Sequence, residues 1–373
     1  MDFDFSDEQE QLRDAVRRWV DKGYDFERRK QVVAGGGFDR AAYTELAELG
    51  VAGLYVPEAH GGMGMGPVEG MVVMEELGRG MVLEPVAQTL IASALLAGYA
   101  PDAVQADWLP RLAGGEALVV LAHQERRNRY DPSRCDTTAT QTATGWALTG
   151  QKSVVPVGDH ADAWLVPART AQGVALFLVD RAAAGGAACT EAYGLQDGGR
   201  AAELHLKDCP ATLVTQDGAA AVQHGVDVGI AALCAEAVGL MDKTVATTAE
   251  YLNTRKQFGV AIASFQALRH RMADMKMQLE LARSMSFYAT LKLNEAPAER
   301  SLAMSRAKVQ LGQSMRYVGQ QAVQLHGGIA VTDEYIVSHY FKRLTQMEML
   351  FGDTLHHTAR VSEQMEETAG VFA

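Results

Sequence analysis

Two short turns carry the residues best suited to chemistry. The first is Thr254-Arg255-Lys256-Gln257-Phe258-Gly259, with Ser264-Phe265-Gln266 just beyond it. The second is Gln324-Leu325-His326-Gly327-Gly328. A guanidinium such as that of Arg255 can grip phosphate oxygens through a charge-assisted fork. Gly327 and Gly328 would leave backbone amides open to a ligand, and Gln324 could add a polar contact. Taken singly, each turn has a plainer reading: a cation at a surface helix end, and glycines that cap a helix. Asp353 is a further candidate, as a general base, with His356 and His357 behind it. A structural or interface carboxylate is the plainer reading of Asp353, and because adjacent histidines on a helix point apart, a catalytic pair with them is not expected. The glycines between Pro57 and Pro67 match neither phosphate-loop spacing, so they read as a turn.

These turns need elements to hold them. Ser6 with Gln9 fits a capping box, with Phe5 at the hydrophobic-staple position. Leu12, Val16, Trp19 and Val20 then recur at helical spacing. A helix through Tyr43, Leu46 and Leu49 should stop at Gly50, and helical patterns resume over 71–77 and 90–96. From Leu118 to about Leu213 the chain turns to short β-type runs: 137–142, 146–148, 154–157, 164–166, 174–179 and 203–206. Long helices return afterwards. One carries Ile230, Leu233, Ala237 and Leu240, a second Phe265 to Leu279, and a third starts at Pro297. Thr332 is expected to cap a fourth. The expected fold class is α+β, mostly α. An N-terminal helical domain (1–117) precedes a small antiparallel β barrel or sandwich (118–215) and a C-terminal four-helix bundle (216–373).

Composition narrows the partners. The chain has 373 residues, a formal charge of -12 and a pI near 5.3, which argues against nucleic acid and anionic membranes. No apolar run reads as long enough to cross a bilayer. The four cysteines lack metal-ligand spacing, so no metal is expected. They read as reduced thiols, and with the acidic N-terminal residues they lead to an expected cytoplasmic location.

Read together, the turns resemble the acyl-CoA dehydrogenase family. Arg255 to Gly259 with Phe265-Gln266 is similar to its R-x-x-F-G…F-Q signature, and Gln324 to Gly328 to its Q-x-x-G-G turn. Leu49 to Leu54, Val56-Pro57-Glu58, Gly61-Gly62, Leu109-Pro110 with Gly115-Glu116, and Gly150-Gln151-Lys152 extend the likeness nearly end to end. The resemblance implies FAD as cofactor, an acyl-CoA thioester as substrate and an electron-transfer flavoprotein as acceptor. It assigns Arg255, Gln257, Phe258, Gln266, Gln324, Gly327 and Gly328 to a dinucleotide whose ring lies in a neighbouring chain.

The β region departs from the family pattern. Where the resemblance implies T-E-P-x-A-G-S-D, this chain has Ala122-His123-Gln124-Glu125-Arg126-Arg127-Asn128-Arg129. Where a Trp and a Thr should meet the flavin ring stand Val154 and Pro156. Where the catalytic Glu should stand is Phe351, with Asp353 two residues off register; the alternative Glu position holds Gly229. His326 to Glu334 with Ser338 to Arg343 resembles the small subunit of pimeloyl-CoA dehydrogenase and the paired dehydrogenases of sterol side-chain breakdown. The expectation is therefore a catalytically degenerate subunit in an α2β2 assembly with a homologous catalytic chain. The alternatives are a self-sufficient homotetrameric dehydrogenase using Asp353, and a flavin-free helical scaffold or acyl-CoA binding protein.

Overall fold

A computed structural model describes residues 5–143 and 145–368. The helices are α1 (Asp7–Gly23), α2 (Phe26–Ala34), α3 (Arg40–Glu48), α4 (Pro67–Gly80), α5 (Val86–Tyr99), α6 (Asp102–Ala113), α7 (Arg181–Ala184), α8 (Gly218–Thr254), α9 (Gln266–Lys292), α10 (Pro297–His326), α11 (Ile336–Met349) and α12 (Thr354–Thr368). The strands of the main sheet are β1 (Val119–Leu121), β2 (Thr138–Thr142), β3 (Gly145–Pro156), β4 (Ala163–Thr170), β5 (Gly173–Asp180), β6 (Ala188–Gly194) and β7 (Arg200–Thr215). The chain divides into two compact units. Of the described residues, one comprises those up to Arg29, 71–82 and those from Ile230 onward, the other 30–70 and 83–229.

The first unit is helical. The capping box of α1 forms, with Ser6 Oγ accepting from the Gln9 amide and the Gln9 side chain answering the Ser6 amide. Phe5 makes no staple within α1. Its ring packs on Phe287 and lies under the Arg13 guanidinium. The segment of α4 in this unit crosses α8 at glycines on both helices. A Cβ on Gly239 would lie 1.8 Å from the Glu75 carbonyl oxygen, and one on Gly78 2.1 Å from that of Glu236. The crossing is ringed by ions: Arg283 reaches Glu75, and Arg79 reaches Asp242. Arg343 grips Glu236 through both Nε and Nη2. By length and hydropathy α8 would pass for a membrane span, contrary to the sequence expectation. Yet 89% of its apolar window is buried in protein, which marks it as a core helix. Thr332 does not start the next helix: it closes a short 3-10 turn over Gly327–Val331, its hydroxyl donates to the Ile329 carbonyl, and α11 begins only at Ile336.

The second unit is built on the seven-stranded sheet, ordered β1-β4-β2-β3-β7-β5, with β6 added on β7. The β4–β5 pairing joins the path back on itself and closes a barrel. Most pairs are antiparallel as expected, but β1 and β2 each meet β4 in parallel. The two apolar runs 146–148 and 154–157 belong largely to one long strand, β3. Register shifts at Leu148/Gly150 and Lys152/Val155 interrupt its alternation. Leu148, Val155, Trp164, Val166, Phe177, Val179 and Leu204 fill the interior with Phe38 and Tyr43. The glycine-rich loop is a turn. Gly61 and Gly64 have positive φ, and a Cβ on Gly62 would meet the Val56 carbonyl at 2.1 Å.

Candidate functional site

The end of α8 and the end of α10 meet. Tyr251, one turn before Arg255, stacks on His326 with ring centroids 4.3 Å apart, and its hydroxyl donates to the His326 carbonyl. The imidazole is buried, its Nδ1 lies 2.8 Å from the Ala322 carbonyl, and Tyr335 packs beside it. The carbonyl needs a proton from Nδ1, so the ring is the Nδ1–H tautomer, and burial holds its pKa below the ordinary value. This stack brings the two predicted turns side by side, a contact that no local sequence pattern discloses.

Beyond Thr254 the chain forms a small hairpin, Lys256–Gln257 pairing with Val260–Ala261. Its tip holds Phe258 at φ 53° and Gly259 at φ 81°. The Phe258 ring is 91% exposed, unusual for so large an apolar group. Arg255, Gln257 and Gln266 are exposed, as are Gln324, Gly327 and Gly328. Arg255 makes no side-chain hydrogen bond or ion pair among the described residues, so its guanidinium faces outward with its donors unused. Gly327 has φ 68°, and a Cβ on either Gly327 or Gly328 would meet nothing within 4 Å. The predicted binding residues thus lie exposed on the connection after α8 and at the end of α10, the two segments that the Tyr251–His326 stack joins.

Asp353 lies apart from that surface, in the turn between α11 and α12. One carboxylate oxygen accepts the His356 amide at 2.8 Å, the geometry of an N-cap on α12. Phe351, at the position where the resemblance implies a Glu, has φ 58°, and its carbonyl lies 3.0 Å from His357 Nε2. His357 Nδ1 meets Ser305 Oγ at 3.1 Å. Burial, then the charge of Lys308, pushes the His357 pKa down to about 3. Lys308 is fully buried and donates to the carbonyls of Met347 and Glu348 at the end of α11. Burial lowers its pKa to about 8. The whole turn is thus bound into the helical core.

In the β-barrel unit, Glu125 turns inward. Its carboxylate meets Lys152 Nζ at 2.6 Å and accepts the Asp136 and Thr137 amides and the Thr137 hydroxyl. Burial alone would raise its pKa; Lys152 and these donors overcome burial and hold it at about 2. Glu203 gathers a second cluster, accepting from Gln151, Ser153 and Tyr193 with Arg126 at 3.7 Å. Between these clusters β3 bends: Val154 has φ 53°, a costly conformation for a β-branched residue. Val154 offers no flat face, and Pro156 neither a hydroxyl nor an amide N–H.

Known proteins agree with this architecture. Residues 6–116 match the acyl-CoA dehydrogenase N-terminal domain and 216–366 the acyl-CoA dehydrogenase C-terminal domain. Acyl-CoA dehydrogenase IpdE2 of Mycobacterium tuberculosis is 32% identical over 309 residues, covering 82% of this chain and 81% of that protein. A chain of a variant of the Tcur3481-Tcur3483 steroid ACAD superposes with a TM-score of 0.89 at 29% identity, over 97% and 98% of the two chains. A chain of the ChsE4-ChsE5 complex of Mycobacterium tuberculosis superposes at 0.88 with 25% identity, over 99% and 100%. With both end domains matched and a relative of this identity aligned over most of its length, the chain belongs to the acyl-CoA dehydrogenase family.

Proposed function

We propose that this chain is the catalytically degenerate subunit of a heteromeric, FAD-dependent acyl-CoA dehydrogenase, and that its bundle-end turns complete the flavin site of a homologous catalytic chain. One contrast carries the reading. The side chains of Arg255, Gln257, Gln266 and Gln324 are exposed and make no hydrogen bond among the described residues, whereas the groups that would serve a ring or a base are absent or engaged in structure. Arg255 would hold phosphate oxygens through its fork. Gln257, Phe258 and Gln266 would flank the nucleoside, and Gln324 with the uncrowded backbone at Gly327 and Gly328 would complete the contact. When bound, the flavin supplies the hydride acceptor for α,β-dehydrogenation of an acyl-CoA thioester.

The ring half of that cofactor does not fit this chain. Val154 and Pro156 offer no stacking face and no donor, and Glu125 is consumed by Lys152. No proton-abstracting step is assigned to this chain either, because Asp353 caps α12. The heteromeric complexes among its structural neighbours support an α2β2 assembly with two flavins, and an electron-transfer flavoprotein is the proposed acceptor.

The test is co-purification of the chain with the product of an adjacent dehydrogenase gene. The pair is expected to be yellow and to reduce dye in the presence of acyl-CoA, and the single chain colourless. A yellow, active single chain refutes the proposal. Arg255→Ala should lower flavin retention by the pair about 10- to 100-fold, the loss of one charge-assisted bidentate contact. Its stability should stay the same, since the side chain contacts nothing it would leave unpaired. Undiminished flavin content in this variant overturns the shared site.

A further inference from the structure

Three rings from three segments of the helical unit meet at the end of α10. Tyr251 of α8 stacks on His326 with centroids 4.3 Å apart and planes 29° from parallel. Tyr335, just ahead of α11, lies 5.4 Å from His326 and 6.4 Å from Tyr251. His326, the ring nearest to both others, is only 4% exposed. Its Nδ1–H bond to the Ala322 carbonyl fixes the plane of the imidazole. Its Nε2 is buried and has no hydrogen-bond partner among the described residues. A buried acceptor without a donor costs stability, and an apolar ring of similar shape would avoid that cost. Packing alone therefore does not account for a histidine at this position.

The cluster ties the two predicted turns to each other. The Arg255 amide donates to the Tyr251 carbonyl at 2.8 Å, so the Arg255 turn starts from the same helical turn as the Tyr251 ring. The Ile262 amide closes the base of the hairpin on the Arg255 carbonyl at 2.9 Å. His326 stands between Gln324 and Gly327. The last carbonyls of a helix lack partners within it, and the Tyr251 hydroxyl supplies one, donating to the His326 carbonyl at 3.3 Å. Gly327 then leaves the helix at φ 68°, and the short turn over Gly327–Val331 leads the chain back to Tyr335 against His326. Exposed turns held in this way give up less freedom when a ligand arrives.

We infer that Tyr251 and His326 are a positioning pair, which holds the Arg255 turn and the Gln324–Gly328 turn as one preorganised body. The Nδ1 bond orients the imidazole, the face of the imidazole receives the Tyr251 ring, and the Tyr251 hydroxyl fixes the end of α10. The inference rests on the reading of the two turns as flavin contacts and adds the side chains that set one turn against the other. Both act through other residues and take no part in the chemistry. Phenylalanine at position 251 would keep the stack and lose the hydroxyl bond. Phenylalanine at position 326 would keep a ring face and lose the Nδ1–H that orients it.

The test pairs amide hydrogen exchange on the full-length chain with flavin retention by the mixed complex, in Tyr251→Leu, Tyr251→Phe and His326→Phe variants. Loss of the stack in Tyr251→Leu should speed exchange about 10-fold at 324–328 as well as at 255–259, the worth of one aromatic pair. Tyr251→Phe should recover most of that loss. His326→Phe should melt no lower than the unaltered chain, because it removes the unpaired Nε2. It should nevertheless loosen both turns and raise the flavin dissociation constant about 10-fold. A pair that served packing alone would change flavin retention only in step with the thermal midpoint. Exchange at 324–328 that ignores Tyr251→Leu, or a yellow complex whose flavin retention ignores both Tyr251→Leu and His326→Phe, overturns the inference. The two readings fail separately. A colourless mixed complex, with exchange at 324–328 still answering to Tyr251, removes the shared flavin and leaves the pair. A yellow complex with exchange indifferent to Tyr251 removes only the pair.

Discussion

Asp353 gives the sharpest division between a catalytic and a structural carboxylate. Its side chain accepts the His356 amide at 2.8 Å and its carbonyl accepts that of His357, so it closes the first turn of α12. Losing an N-cap acceptor costs about 1 kcal/mol. Asparagine caps about as well as aspartate and forfeits only the favourable charge at the helix start, about 0.3–1 kcal/mol. Asp353→Asn should therefore be nearly as stable as the unaltered chain, while Asp353→Ala should melt about 2–4 °C lower, the shift expected for a unit of this size. Neither amide nor methyl can take a proton from an α carbon. If Asp353 were the base, both variants would lose on the order of 100-fold or more in turnover. If it is a cap, the mixed complex should turn over at the unaltered rate in both. The assay is dye reduction beside thermal melting on the same preparations. A folded Asp353→Asn complex with turnover reduced by two orders of magnitude would refute the structural assignment and restore the self-sufficient homotetramer.

Two further outcomes follow from buried charges. His357 has a native pKa of about 3, below the ordinary 6.5, so the unfolded chain binds more protons between those values. The neutral buried ring costs nothing above pH 6.5, and stability is lost as pH falls from there towards 3. At pH 5 the loss is about 2 kcal/mol. Urea melts against pH should show this slope, and His357→Gln should flatten it; an equally steep slope in the variant would assign the acid lability elsewhere. In the barrel unit, Lys152→Met leaves the Glu125 carboxylate buried with its ammonium removed and should cost about 3–5 kcal/mol. The Lys152→Met/Glu125→Leu double variant should recover part of that loss. A double variant no more stable than Lys152→Met would mean that the pair owes its effect to packing alone.

Elements are legible in the sequence where their cause is local. Ser6 and Gln9 answer each other within one turn, so the start of α1 can be read directly. Thr332 is placed like an equally good cap, but its hydroxyl turns back to Ile329, and Tyr335 packs against His326 before α11 begins. Strand β6 carries no such signal, because its own residues show little alternation. It exists by pairing with β7 from Ala188 to Gly194. The unity of β3 is hidden for a related reason, since its bulges break the two-residue period that marks a strand. The apolar length of α8 exceeds what the sequence reading allows it, and composition alone could not say that protein covers it.

The site divides along the same line. Arg255 and Gln324 stand in short signatures, and only the resemblance to the family implies that they act together. What joins them is Tyr251 stacked on His326 across 75 positions, which depends on the packing of α8 against α10. The losses at Val154, Pro156 and Phe351 are visible in the sequence only as departures from a family pattern. Geometry adds a physical account of them: β3 bends at Val154, Glu125 closes on Lys152, and Lys308 and His357 fasten the turn that holds Asp353. A chain under selection to hold a flavin ring and abstract a proton would need those positions open and their acceptors unspent. Here they are spent on stability, while the Arg255 guanidinium has no partner among the described residues, and that contrast supports the proposal that ring and base lie in a second chain.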